Sequence, residues 1–288
     1  MKAARFDYLR PGTLDEALEA LAGSGGSIRV MAGSQSLGPM LNLRLVRPER
    51  LIDISGLHEL RAVSVEASGL RIGAGITHAE IEDACHPALQ DHPWRRVAAT
   101  IAFRSVRNRG TVGGSLAHAD PAADWVLTAW ASGAEVEIAR LGSRRLVPIR
   151  QFMQAAYTTV LGPDELISAI LVPASLQRVR WGYYKVCRKI GDFAEASCAV
   201  AVDPESGQAA VAVGALDGPP VMLDGLGARV AGIQTLPAGF PDEVSEHLTR
   251  ALPGLDRVDH RMVCATVMRA VERAFGREPA GTHEGSLP

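Results

Sequence analysis

The sequence predicts an α+β protein with two domains, and three observations support this prediction. The chain has 288 residues, more than the roughly 100 to 200 residues of one typical domain. Up to about residue 176, short apolar strands alternate with amphipathic helices, as in small α/β units. From Arg180 onward, long strands come first and two helices follow, which indicates a separate α+β domain.

The composition is that of an ordinary globular protein. Hydrophobic residues make up 47% of the chain and charged residues 22%, so a sizeable core can be buried. The 30 basic residues are balanced by 32 acidic residues, whereas binding to a phosphate backbone requires a concentrated surplus of Lys and Arg. We therefore expect no nucleic-acid partner.

The cysteines and the apolar runs exclude two further classes of protein. None of the four cysteines forms the C-x-x-C spacing of a zinc or iron–sulfur site, so we expect reduced thiols. No basic-then-apolar leader begins the chain, and no apolar run reaches the roughly 20 residues that a membrane span needs. The expected protein is soluble and cytoplasmic, without a membrane span.

The first lobe, residues 1–56, is predicted to be a small α/β unit. Its strands are expected at Phe6–Tyr8, Ile28–Met31 and Leu51–Ile54. Thr13 and Glu16 have the T-x-x-E spacing of a capping box, which predicts a helix that begins at Leu14.

The second lobe, residues 57–176, is predicted to contain three helices and a further set of strands. Thr77 and Glu80 form a second capping box, another helix begins near Trp94, and an apolar helix is expected over Pro121–Ala131. The strands are expected in "GLRIGAG" and at Ala134–Leu141, Leu146–Ile149 and Glu165–Val172.

The C-terminal α+β domain is predicted over residues 177–278. Its strands are expected in "WGYYKVC", "ASCAVAV" and "QAAVAVGAL", and its helices near Asp242–Leu252 and Asp259–Phe275. In the last helix, apolar residues recur every four positions on one face. Residues 279–288 have no apolar pattern, so we expect a flexible tail there.

Two glycine-rich segments are candidates for phosphate binding. "AGSQS", residues 32–36, follows a strand, and "TVGGS", residues 111–115, follows a polar turn. Glycine permits torsions that place successive N–H groups on one concave side, where they bind phosphate oxygens. Two such loops in adjacent lobes favour a dinucleotide, because its pyrophosphate has two phosphates. The Rossmann fingerprint G-x-G-x-x-G is absent, since "GSGG" and "GLGARV" have no glycine at its third position and no strand–loop–helix context.

The segment "HADPAAD" has two interpretations. His118, Asp120 and Asp124 could ligate a metal ion, which would make the protein a metal-dependent hydrolase. Alternatively, Asp120 is the N-cap of the helix at Pro121, and Asp124 accepts hydrogen bonds from a nucleotide. No second cluster supplies further metal ligands, so we favour the second interpretation and expect no metal site.

Two further alternatives stay open, in which these segments have a purely structural role. Arg104, Arg107 and Arg109 precede the second glycine segment and could pair with phosphate, or they could form a solvated or partner-facing turn. Both glycine segments could also be plain turns of a non-catalytic interaction module.

Four motifs occur in order along most of the chain: "FDYLRPGTLDEALEAL", "MAGSQSLGPMLNLRL…PERLIDIS", "VRNRGTVGGSLAHADPAADW" and "YYKVCRKIGDFA". In this combination they resemble the FAD-binding medium subunit of molybdenum-containing hydroxylases, the group of carbon monoxide dehydrogenase and xanthine dehydrogenase. The resemblance implies a two-lobed FAD-binding domain of the p-cresol methylhydroxylase or vanillyl-alcohol oxidase type. FAD would lie extended between the lobes, and a C-terminal α+β domain would follow.

The resemblance also implies which residues contact FAD. The pyrophosphate contacts would be Ala32, Gly33, Ser34, Gln35, Ser36 and Leu37 in the first segment and Thr111, Gly113, Gly114 and Ser115 in the second. Asp124 matches a carboxylate that contacts the adenosine part. Leu161 matches an apolar residue near the isoalloxazine, and Lys185 matches a cation near the polar edge of that ring.

The sequence departs from the family pattern at two of these positions. The family usually has A-G-G-x-S in the first segment, whereas this chain has Ser34 at the third position. If this position has a positive φ, the serine is strained by roughly 1 kcal/mol. Ser115 replaces a common Asn and keeps a hydrogen-bonding side chain with a shorter reach.

The function that the resemblance implies is electron transfer by a flavoprotein subunit. A small subunit with two [2Fe–2S] clusters would supply the electrons, and a large subunit would carry the molybdopterin cofactor. The resemblance also implies a complex that is a dimer of heterotrimers. Neither glycine segment contains His or Cys, so we expect noncovalent FAD. The alternative from the same fold is a stand-alone FAD-dependent oxidoreductase that turns over an organic substrate by itself.

Overall fold

The first lobe is a small α/β unit, as predicted, and its three strands form a parallel sheet. The computed structural model describes residues 2–276 of the chain. Strands β1 (Asp7–Leu9), β2 (Ile28–Met31) and β3 (Arg50–Asp53) have the spatial order β1-β3-β2. Helix α1 (Leu14–Leu21) begins after Thr13, whose side chain accepts a hydrogen bond from the Glu16 N–H at 3.2 Å. A short helix, α2 (Leu37–Asn42), follows the loop after β2.

The second lobe contains a five-stranded antiparallel sheet with the order β4-β5-β10-β6-β7. Its strands are β4 (Val63–Glu66), β5 (Gly69–Gly73), β6 (Glu135–Arg140), β7 (Ser143–Pro148) and β10 (Leu166–Pro173). Strands β8 (Met153–Ala155) and β9 (Thr158–Thr159) form a separate hairpin. Three 3₁₀ turns complete the connections, at His58–Arg61, Pro87–Leu89 and Ala174–Gln177.

The helices of the second lobe match the sequence prediction in part. They are α3 (His78–Glu82), α4 (Trp94–Thr100), α5 (Arg104–Arg107), α6 (Val112–His118), α7 (Asp124–Ser132) and α8 (Ile149–Phe152). The capping box at Thr77 and Glu80 is present. The predicted loop "TVGGS" is instead the start of α6, because the Thr111 hydroxyl caps that helix.

The helix predicted at Pro121 begins three residues later, at Asp124. The prediction that Asp120 is its N-cap is wrong, because the Asp120 carboxylate accepts a hydrogen bond from the Ala122 N–H at 2.9 Å within the preceding turn. Ala119, in the left-handed conformation, ends α6 just before this turn. Residues 119–123 are therefore a structured connection between two helices.

The C-terminal domain has a four-stranded antiparallel sheet with helices on one face. Strands β11 (Arg180–Val186), β12 (Ala196–Asp203), β13 (Gln208–Gly214) and β14 (Val221–Met222) pair in chain order. The helices are α9 (Asp224–Ala231), α10 (Phe240–Ala251) and α11 (Arg257–Ala274). The sequence analysis did not predict α9, which has four apolar residues and two glycines in eight positions.

Helix α7 lies between the sheets of the two domains, and all of its residues are buried. The core around α7 contains residues from both sides, including Ile138 and Ile170 of the second lobe and Trp181 and Tyr183 of β11. The opposite face of the C-terminal sheet forms a second core with α9, α10 and α11. The two domains thus share one apolar core through α7.

Three further sequence expectations concern a membrane span, the tail and the cysteines. Within residues 2–276, no helix has the length and apolar character required to cross a membrane. The predicted tail, residues 279–288, lies outside the described residues. All four cysteines are free thiols.

Candidate cofactor site

The loop after β2, residues 32–36, presents backbone donors that the protein does not use. Within residues 2–276, the N–H groups of residues 33–36 donate no hydrogen bond to another group of the chain. Ser34 has a φ of 60°, in the left-handed region, and the Gln35 side-chain amide donates to the Gly33 carbonyl at 2.8 Å. Successive free N–H groups in such a turn form a binding site for anionic oxygens.

The second candidate segment, residues 111–115, is the N-terminal turn of α6, and its backbone donors are already paired. The Gly113 N–H donates to the Ala74 carbonyl at 3.0 Å. The N–H of Gly114 donates to the Thr111 hydroxyl and that of Ser115 to the Thr111 carbonyl, both at 3.0 Å. This turn therefore differs from the first loop, since it offers the exposed Gly114 and the Ser115 hydroxyl rather than free N–H groups.

The first loop and the α6 turn lie directly against each other. A Cβ atom on Gly33 would lie 1.9 Å from the Arg109 carbonyl oxygen, and one on Gly114 would lie 4.0 Å from the Ala32 Cβ. Gly33 is therefore required for a close approach of two backbones. The fold thus brings together the two segments that the sequence predicts to bind a pyrophosphate.

His78 is a buried histidine to which the sequence analysis assigned no role. It is hydrogen-bonded to Gly110, the residue just before the α6 turn. The His78 N–H donates to the Gly110 carbonyl at 2.9 Å, and the His78 Nδ1 accepts a hydrogen bond from the Trp125 indole at 2.9 Å. Burial lowers the pKa of His78 to about 3, so the imidazole is neutral. The only sequence signal was its place directly after Thr77, at the start of a capped helix.

Asp124 and Lys185, two of the predicted FAD contacts, form a buried ion pair between the domains. The Lys185 Nζ lies 2.8 Å from the Asp124 Oδ1, and the two side chains are 8% and 6% exposed. The Tyr183 hydroxyl donates to the same oxygen at 2.6 Å. Burial and the neighbouring Asp124 charge raise the pKa of Tyr183, so its phenol stays protonated as a donor.

This ion pair bears on the roles that the resemblance implied. The resemblance places Asp124 at the adenosine and Lys185 at the isoalloxazine, whereas the structure places their charged groups in direct contact. Both roles stay predictions. The third predicted residue of this group, Leu161, is half-buried against the core around α7, and its N–H donates to the Thr159 hydroxyl at 3.2 Å.

The residues of the metal interpretation have separate partners. The His118 ring packs on the Tyr157 ring with 5.2 Å between centroids, Asp120 accepts the Tyr157 hydroxyl at 3.3 Å, and Asp124 is paired with Lys185. In the part of the chain that the structure describes, no three His, Cys, Asp or Glu side chains are grouped as metal ligands. The geometry gives the metal-dependent hydrolase no support.

The left-handed Ser34 leads to a prediction about stability. Ser34→Gly is expected to raise the free energy of unfolding by up to about 1 kcal/mol, because glycine has no Cβ that opposes a positive φ. Urea denaturation of the ligand-free protein would measure the change. Ser34→Ala keeps the Cβ and removes only the hydroxyl, so an equal gain from alanine would show that backbone strain is not the cause.

Comparisons with known proteins identify the family of the chain. The sequence family described as "FAD binding domain in molybdopterin dehydrogenase" matches residues 4–175. The caffeine dehydrogenase subunit beta of Pseudomonas sp. (strain CBB1) is 31% identical over 96% of this chain and 97% of its own length. The carbon monoxide dehydrogenase medium chain of Hydrogenophaga pseudoflava is 38% identical over 68% of each chain.

A solved structure extends the likeness beyond the matched domain. A chain of carbon monoxide dehydrogenase from Hydrogenophaga pseudoflava superposes with a TM-score of 0.87 and 30% identity, over 97% of this chain and 100% of that chain. The superposition therefore includes the C-terminal domain, and it confirms the predicted α+β fold. The chain belongs to the FAD-binding family of molybdopterin dehydrogenases, as a relative of their medium subunits.

Proposed function

We propose that this chain is the electron-transfer flavoprotein subunit of a three-subunit molybdenum hydroxylase. The observation that carries the proposal is the first loop, whose free N–H groups lie against the α6 turn at the meeting point of the two lobes. Its relatives are named as a medium chain and a beta subunit, which are names for parts of larger enzymes. The partners would be a large molybdopterin subunit and a small [2Fe–2S] subunit.

The residues of the two segments fit the pyrophosphate of FAD. The N–H groups of residues 33–36 would bind its oxygens, the Ser115 hydroxyl would add a donor, and the exposed Gly114 would let the phosphate approach the α6 turn. FAD, when bound, accepts electrons from an iron–sulfur donor and gives them to an external acceptor. The task of this chain is to bind the cofactor and to orient it.

The buried pair of Asp124 and Lys185 would face the isoalloxazine. Lys185 would stabilise the negative charge that reduction adds to the ring, while Asp124 and Tyr183 hold its ammonium group in place. Leu161 would supply an apolar contact near the same ring. This assignment keeps the implied role of Lys185 and moves Asp124 from the adenosine to the ring.

Attachment, assembly and location follow the family in this proposal. Residues 32–36 and 111–115 contain neither His nor Cys, so the FAD would be bound noncovalently. The complex would be a dimer of heterotrimers in the cytoplasm. Acid precipitation of the loaded protein should release the flavin into the supernatant, and yellow colour in the pellet would contradict noncovalent binding.

The test of FAD binding uses a glycine variant of the first loop. Gly33→Ala is expected to abolish FAD retention after desalting, because its Cβ would overlap the Arg109 carbonyl and separate the two segments. The wild type should retain about one FAD per chain, measured by its visible absorption spectrum. Gly218→Ala is the matched control, since a Cβ on Gly218 would meet no atom within 4 Å.

Two outcomes would count against the proposal. A wild-type chain that retains no FAD would remove the flavoprotein assignment, and equal retention by Gly33→Ala would remove the first loop as the binding site. The alternative, a stand-alone oxidoreductase, has its own test. In that case an organic substrate would bleach the flavin of the isolated chain without partner subunits.

A further inference from the structure

We infer that Arg109 supplies the positive charge that faces the pyrophosphate of bound FAD. The inference deepens the proposed function and depends on it. Arg109 lies outside both glycine segments.

The two segments alone lack the charge that a pyrophosphate requires. Residues 31–37 and 111–117 contain no Lys or Arg, and backbone N–H groups contribute only partial charges. Lys185 is held by Asp124 and is assigned to the isoalloxazine in the proposed function, so it is not available to the pyrophosphate. A pyrophosphate carries two negative charges, and a cation from a neighbouring segment would therefore strengthen its binding.

Arg109 is next to the first loop. Its carbonyl oxygen occupies the position where a Gly33 side chain would start, 1.9 Å from the ideal Cβ. Its side chain is exposed and, within residues 2–276, makes no hydrogen bond or ion pair. The arginine is therefore adjacent to the free N–H groups and has no competing partner in the described chain.

The other two arginines of this segment are already engaged. Arg107 forms an ion pair with Glu82 at 2.7 Å, and Arg104 contacts both Glu82, at 3.0 Å, and Asp83. These two residues hold α5 against α3. Of the three arginines before the α6 turn, Arg109 alone is left without a partner among the described residues. A guanidinium is also well suited to this role, because its N–H groups bind phosphate oxygens in pairs.

The experiment measures FAD affinity by flavin fluorescence at several salt concentrations. Arg109→Gln is expected to weaken FAD binding about tenfold at low salt, as for a lost hydrogen-bonded charge. Near 1 M salt the Debye length falls to about 3 Å, so the deficit should shrink several-fold. Arg109→Lys should keep part of the affinity, because it keeps the charge without the planar fork.

Arg150→Gln is the matched control, since Arg150 is exposed on α8 and has no ion pair among the described residues. Its FAD affinity should equal that of the wild type. A deficit of Arg109→Gln that is the same at every salt concentration, or no deficit at all, would overturn the inference and leave the proposed function intact. Absence of FAD binding by the wild type would instead remove the proposed function, and this inference with it.

Discussion

Lys185→Met is expected to lower the free energy of unfolding by about 3 to 5 kcal/mol, the usual cost of leaving one partner of a buried ion pair without the other. The Asp124 carboxylate is 6% exposed and would keep only the Tyr183 hydroxyl as a side-chain partner. Methionine has a similar length, so the loss reflects charge more than volume. Urea denaturation at neutral pH would measure it.

Two further variants separate the ion pair from general effects of the substitution. Adding Asp124→Asn to Lys185→Met should recover part of the lost stability, because the unpaired charge is then removed. Lys189→Met is the matched control, since Lys189 is exposed in the loop after β11 and makes no ion pair within residues 2–276. A loss below 1 kcal/mol for Lys185→Met would show that water can replace Lys185 as the partner of the Asp124 carboxylate.

The same substitution also tests the proposed position of Lys185. If its ammonium group faces the flavin, Lys185→Met removes a positive charge and makes the bound cofactor harder to reduce. The reduction potential would then become more negative in a redox titration of the FAD-loaded protein. An unchanged potential would remove this role from Lys185 and leave it a structural link between α7 and β11.

Stability is expected to fall steeply as the pH drops below about 6.5, because two histidines are buried in the neutral form. Burial lowers the pKa of His78 to about 3 and that of His92 to about 4. Between those values and 6.5, the unfolded chain binds a proton that the folded chain does not. Each histidine therefore lowers the free energy of unfolding by about 1.4 kcal/mol per pH unit.

Urea denaturation between pH 7.5 and pH 5 would measure this slope. His92→Asn keeps an acceptor for the Trp94 backbone N–H and removes one titrating group. The slope of the unfolding free energy against pH should therefore decrease by about 1.4 kcal/mol per pH unit. His58→Gln is the control, because His58 is exposed. A slope that is unchanged in His92→Asn would show that this imidazole is protonated in the folded protein.

Much of the fold was predictable because its signals are local. The capping residues Thr13 and Thr77 mark the starts of α1 and α3, and the apolar runs mark β2, β10 and β12. The motifs of the two glycine segments also indicated the family. Each of these signals lies within one element, where sequence periodicity and hydrogen bonding at helix ends determine the outcome.

The parts that the sequence did not predict depend on contacts between distant residues. "TVGGS" looks like a loop because two glycines weaken a helix, yet Thr111 caps α6 and the α6 turn packs on Ala74. The pairing of Asp124 with Lys185 joins residues on different domains. His92 gave no signal, and the place of His78 after Thr77 did not indicate its burial, since burial of a histidine depends on the assembled core.

Helix α7 determines whether the chain can be cut into fragments that fold on their own. The family match ends at residue 175, but a fragment that stops there would expose the side of α7 that Trp181 and Tyr183 cover. Such a fragment would present an apolar surface to water and is expected to aggregate when expressed alone. The boundary seen in sequence families is therefore not a boundary of autonomous folding, and we expect the chain to melt in one cooperative transition.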